Sequence, residues 1–137
     1  MRHFMASAAL AVGILALSYG TGQAVELTNS TVGVGRTGDP TEWVALAASP
    51  NGRVFQSQTR SGEEMARNAA RSECQQKTGR TCDVTISVPW SWDVEVLRCG
   101  SVIVMGGSGE GNARGMALDK AARNGYTERQ CITIANY

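Results

Sequence analysis

The side chains best suited to covalent or metal chemistry in this sequence are its four cysteines, Cys74, Cys82, Cys99 and Cys131. An even cysteine count in a small chain reads either as a disulfide framework or as a metal site. Their spacing contains no Cys-x-x-Cys knuckle, and the only histidine, His3, lies far upstream at the extreme N-terminus. A mixed Cys/His zinc site therefore has no imidazole to complete it, and two disulfides are expected. Three pairings are possible on paper. Cys74 is expected to end a helix and Cys82 to start the next strand, so their bridge is the easiest to close, and Cys99 and Cys131 are left for each other. With no further histidine, serine, cysteine and threonine nucleophiles lack their usual general base, which argues against triad hydrolases and His-ligated catalytic zinc.

Carboxylates and indoles are what remain. Asp93 and Glu95 alternate along an extended stretch and are a candidate pair for glycoside chemistry; two solvated strand residues would look the same. Trp90 and Trp92 also alternate, so they are expected to project to one face, either packed or offered as a surface for sugar rings or a partner's apolar side chains. Gly106-Gly107-Ser108-Gly109-Glu110-Gly111 has the look of a phosphate loop, but no Gly-Lys-Ser or Gly-Lys-Thr follows it, and it reads as a flexible connection. A literal Gly-x-Gly-x-x-Gly at Gly33, Gly35 and Gly38 is followed at once by Pro40 and lacks a preceding strand, so it reads as linker.

The elements that must position these residues follow from periodicity and turn chemistry. Trp43 to Ala48, the turn Ser49-Pro50-Asn51-Gly52 and Val54 to Gln58 predict a β-hairpin. Ser61-Gly62-Glu63-Glu64 is a capping-box signature that predicts a helix start, with Met65, Ala66, Ala69, Ala70 and Cys74 as its apolar stripe and Gly79 as its end. Val84, Ile86, Val88, Trp90, Trp92, Val94 and Val96 fall on every second position and predict extended structure with one dry face. Pro89 cannot donate to a ladder, so it marks an edge, a bulge or a bend between two strands. A strand over Ser101 to Met105, a glycine-rich connection from Gly106 to Gly115, a helix over Ala113 to Arg123 and a last strand from Cys131 to Ile134 complete the reading.

At 137 residues the chain fits one small domain. Arg2 and His3 precede an apolar run from Phe4 to Leu17 that gives way to Gly22-Gln23-Ala24, the grammar of a secretory signal peptide over residues 1–24. That run is shorter than the roughly 20 apolar residues of a spanning helix, so no membrane span is expected after cleavage. Residues 25–41 read as a flexible leader with at most one short strand, and 42–137 as the domain. Basic residues number 13 and acidic residues 12, and removal of Arg2 balances them, which gives no footprint for nucleic acid.

The two halves of the domain look alike. Ala69-Ala70-Arg71 recurs as Ala121-Ala122-Arg123, and Cys82-Asp83-Val84-Thr85-Ile86 recurs as Cys131-Ile132-Thr133-Ile134. An α+β fold is expected, a duplicated ββαβ-type unit forming one mainly antiparallel sheet covered by two helices. On Trp43-Val44-Ala45-Leu46-Ala47-Ala48-Ser49-Pro50 with Gly52, the Ala-rich helix ending in Cys74, the strand after Cys82 and Cys99-Gly100, the chain resembles the small secreted bacterial domain of unknown function 4189. The resemblance implies export, an α+β repeat and cystine crosslinks, and brings no catalytic residues with it.

Three functions fit. The favoured one is a secreted or periplasmic, non-catalytic module that binds a partner protein or envelope component without a cofactor. The second is a secreted inhibitor or effector acting on another organism's protein, with Trp90 and Trp92 as a compact hot spot. The third is a His-independent carboxylate hydrolase built on Asp93 and Glu95.

Overall fold

The computed structural model describes residues 24–28 and 40–136. The expected signal segment up to residue 23 and most of the expected leader, including Gly33, Gly35 and Gly38, lie outside the described residues. The fold is α+β: strands β1 (Ala24–Leu27), β2 (Trp43–Ala48) and β3 (Val54–Ser57), helix α1 (Glu63–Thr78), strands β4 (Asp83–Pro89), β5 (Asp93–Cys99) and β6 (Val102–Ser108), helix α2 (Ala113–Arg123), a 3₁₀ turn at Glu128–Gln130 and strand β7 (Cys131–Asn136). The residues 25–27 of the expected leader belong to β1, which pairs with β3 as an edge strand.

The strands form two antiparallel sheets where one was expected, in the orders β1-β3-β2-β4 and β6-β5-β7. Three buried clusters show how they stack. Leu27, Val44, Leu46, Val54 and Val88 of the first sheet meet Val94, Val96, Met105, Ile134 and Ala135 of the second. On its other face the first sheet packs Ala45, Ala47 and Phe55 against Ala66, Ala70 and Cys74 of α1. The second sheet likewise packs Leu97, Cys99 and Val104 against Ala117 and Ala121 of α2. The molecule is therefore four layers deep, helix, sheet, sheet, helix, and burial between the sheets makes its central core.

Alanine sets the helix-to-sheet distance. Gly106 takes this to its limit, because a Cβ there would stand 2.1 Å from the Ala113 carbonyl oxygen and 2.4 Å from the Ala117 amide nitrogen. On the opposite face of the same strand, a Cβ on Gly107 would meet Val88 at 2.7 Å and Ile86 at 3.0 Å. Gly106 and Gly107 are thus strand residues squeezed between α2 and β4, and the connection expected from Gly106 onward begins only after Ser108. Side-chain-free positions inside a strand mark such close approach.

The uninterrupted alternation read from Val84 to Val96 is broken twice. The β2/β4 register shifts between Leu46 and Ala47, leaving Thr85 as an extra residue. Val84 then faces α1, whereas Ile86 and Val88 face the other sheet. Beyond Pro89 the chain turns through Trp90 to Trp92 and enters the second sheet. A matching shift occurs between Val96 and Leu97 opposite β7, where the extra residue Ile134 stands at the spacing that separates Cys82 from Cys131. The bulge explains why the neighbours Ile134 and Ala135 are both buried between the sheets.

α1 starts one residue later than the capping-box signature implies. Gly62, in extended conformation, is the N-cap, and no side-chain cap bond forms. Neither partner closes the box: Ser61 Oγ lies 3.7 Å from Met65 Sδ and the Glu64 carboxylate stands near Arg67, while Glu63 accepts from Ser87 Oγ of β4 at 2.6 Å. Met65 is exposed rather than part of the stripe, which consists of Ala66, Ala69, Ala70 and Cys74. Gly79 ends the helix in the left-handed region at φ 65°, its amide donating to the Gln75 carbonyl.

Candidate functional site

All four cysteines are consumed in two disulfides, Cys74–Cys82 and Cys99–Cys131. The first ties the last turns of α1 to the residue just before β4, with both partners buried. The second joins directly opposed residues of β5 and β7, 4.1 Å apart at Cα, close to the spacing of a non-hydrogen-bonded antiparallel pair. Disulfided sulfur offers neither a nucleophile nor a thiolate ligand, so chemistry must be sought elsewhere. The crosslinks are those of a protein matured in an oxidising compartment. No helix among the described residues is long and apolar enough to cross a membrane.

Trp90 and Trp92 do not alternate along one strand; both sit in the turn joining β4 to β5. The Trp90 amide donates to the Glu42 carbonyl at 2.7 Å, and its indole is half-buried with Nε1 enclosed and unpartnered. Trp92 is 39% exposed, and it is the only exposed aromatic side chain among the described residues. Its ring rests on Gly109: Nε1, Cδ1 and Cε2 stand 2.9, 3.2 and 3.3 Å from where a Cβ on that glycine would be. Adjacent ring atoms at such similar distances place the glycine over the face of the ring, since an edge-on approach would leave the flanking carbons well beyond the nitrogen. The indole therefore lies flat against the β6–α2 loop, which covers one of its faces, while the residue as a whole stays 39% exposed.

Beside it, a groove of about 410 Å³ runs between Asp93, Gly111, Arg114 and Asn136, with Glu95 at its floor. Asp93 opens β5 and is exposed; Glu95, two residues on, is 6% exposed and faces α2. Glu95 Oε1 accepts from Arg114 Nη1 and from Thr133 Oγ1, both at 2.9 Å. Arg114 Nη2 also donates to Glu128 at 3.0 Å. That bond, and after it the one to Glu95, holds the guanidinium above its ordinary range against modest desolvation. The sequence brought out Asp93 and Glu95 but not Arg114, Glu128, Thr133 or Asn136, which come from α2, the 3₁₀ turn and β7 and are united only by the second sheet.

A second groove, about 740 Å³, opens at the other end of the sandwich between the Pro50–Arg53 turn and Ser101. There Arg53 Nε and Nη2 grip Glu26 at 2.7 and 2.8 Å, and Nη1 reaches the Lys77 carbonyl at 3.0 Å. The hydrogen bonding from Arg53 lowers the Glu26 carboxyl below the usual range against partial desolvation. Arg98 Nη2 donates to the Gly52 carbonyl across the two sheets. This end is braced by its own charges. On α1, Arg67 donates to Ser87 and stands near Glu63 and Glu64, and Arg71 donates to Asn68.

No family model, no curated protein and no solved structure matches the chain.

Proposed function

We propose that this chain is an exported module of the bacterial envelope or extracellular space that works by binding a partner through the face around Trp92. The observation that carries the reading is the exposed indole seated on Gly109, next in the chain to a groove that Asp93, Arg114 and Asn136 help to line. Large aromatics fixed at a surface are the side chains that dominate binding energy. The two disulfides support maturation outside the cytoplasm, and the resemblance to domain of unknown function 4189 points to the same destination. Within this reading a secreted inhibitor or effector uses the same indole as its hot spot. A carboxylate hydrolase has less support, because Glu95 is already engaged by Arg114 and Thr133. The test is a pull-down with the oxidised protein against envelope fractions and culture medium, run beside Trp92→Ala. Capture of a defined component that is lost in the variant is the expected result. Capture that ignores the substitution, or hydrolysis abolished by Asp93→Asn, would overturn it.

A further inference from the structure

We infer that the Trp92 face takes a neutral saccharide, with the exposed indole stacking on the ring and the Asp93–Arg114–Asn136 groove holding its hydroxyls; this rests on the binding reading above. Three features argue for it. The ring is exposed and seated by one face on a glycine, so the aromatic surface it offers is held in a fixed orientation, as stacking on the C–H face of a sugar requires. The adjoining groove offers a carboxylate acceptor, a guanidinium donor and an amide that does both, at Asp93, Arg114 and Asn136. Neighbouring hydroxyls, each donor and acceptor at once, are the groups that match such a mixed lining.

Charge narrows the guest further. Glu95 and Glu128 already bracket Arg114, and Asp93 adds a third carboxylate, so an anionic guest is repelled. A cationic guest is not repelled, and the basic pentapeptide in the test below separates it from a neutral one. An uncharged polyol avoids the repulsion and uses both the acceptor at Asp93 and the donor at Arg114. At about 410 Å³ the groove is within the roughly 300–1,000 Å³ of small-ligand sites.

The test titrates the oxidised protein with cellotriose, maltotriose and chitotriose, following tryptophan emission and heat. At least one should bind with a Kd of about 10 mM or tighter, with little dependence on salt. Trp92→Ala and Gly109→Val, which removes or unseats the indole, should each weaken binding by about tenfold or more, and Asp93→Asn by a smaller factor. Circular dichroism and intact mass confirm that each variant is folded and oxidised. Binding of none of the three, binding that survives Trp92→Ala, or preference for a lysine- or arginine-bearing pentapeptide would overturn the inference. Should Trp92→Ala abolish capture of a protein partner while no saccharide binds, the ligand class falls and the binding reading stands.

Discussion

Arg114 Nη1 donates to Glu95 Oε1 at 2.9 Å, yet the carboxylate is buried beneath α2 while the guanidinium is half in solvent. The pair is unequal: removing the arginine leaves a nearly buried carboxylate with Thr133 as its remaining partner.

Arg114→Ala should therefore cost about 1–3 kcal/mol, with the urea midpoint falling at an unchanged slope. Adding Glu95→Gln to that variant should restore part of the loss, because the uncompensated charge is then gone. Equal destabilisation by the single and double variants would show that Glu95 does not depend on Arg114.

Gly106 and Gly109 should behave differently although both are crowded. A methyl group on Gly106 strikes α2 backbone, which cannot move aside, so Gly106→Ala should lose about 3 kcal/mol or more in chemical denaturation. At Gly109 the obstacle is the far end of a side chain. Gly109→Ala should cost less than about 1 kcal/mol and appear instead as altered Trp92 emission.

Both bridges should register in intact mass as a gain of about four hydrogens on reduction. By the loop-entropy model, Cys74–Cys82 contributes about 2.6 kcal/mol and Cys99–Cys131 about 3.7 kcal/mol. The Cys99→Ser/Cys131→Ser variant should accordingly melt below the Cys74→Ser/Cys82→Ser variant.

Glu26 predicts an acid response confined to β1. Because Arg53 lowers its pKa in the fold, the stabilisation is fully present above the ordinary carboxylate value of about 4.3 and is lost as pH falls through the lowered one. The pair is about one-third exposed, so the effect at neutral pH should be small. Hydrogen exchange of β1 amides should accelerate as the pH drops through this window, relative to β2. In Glu26→Gln, β1 should be looser at neutral pH and lack the acid step.

The hairpin of β2 and β3, both helices and the last strand were legible because each is local: a turn of Pro50, Asn51 and Gly52, a 3.6-residue alanine stripe, or an alternating run. The layering was not legible. Val84 and Ile86 share parity in the sequence but lie in different layers, since the bulge at Thr85 is set by pairing with β2, a partner distant in the chain. The same applies to the site. Trp92 was identifiable as an aromatic of interest, but its seat on Gly109 and the proximity of Arg114 to Glu95 depend on how β6 and α2 return to β5. The capping box at Ser61 does not form either: Gly62 is the N-cap, and the Glu64 carboxylate stands near Arg67 one turn on.

Each disulfide closes within its own half of the chain, so nothing covalent crosses the seam between the two sheets except the short passage through Trp90, Ser91 and Trp92. A chain nicked at Ser91 would yield two crosslinked pieces, each with an oily sheet face and no cover for it. They should cling together in water and part in denaturant, with reductant making no difference to the parting itself.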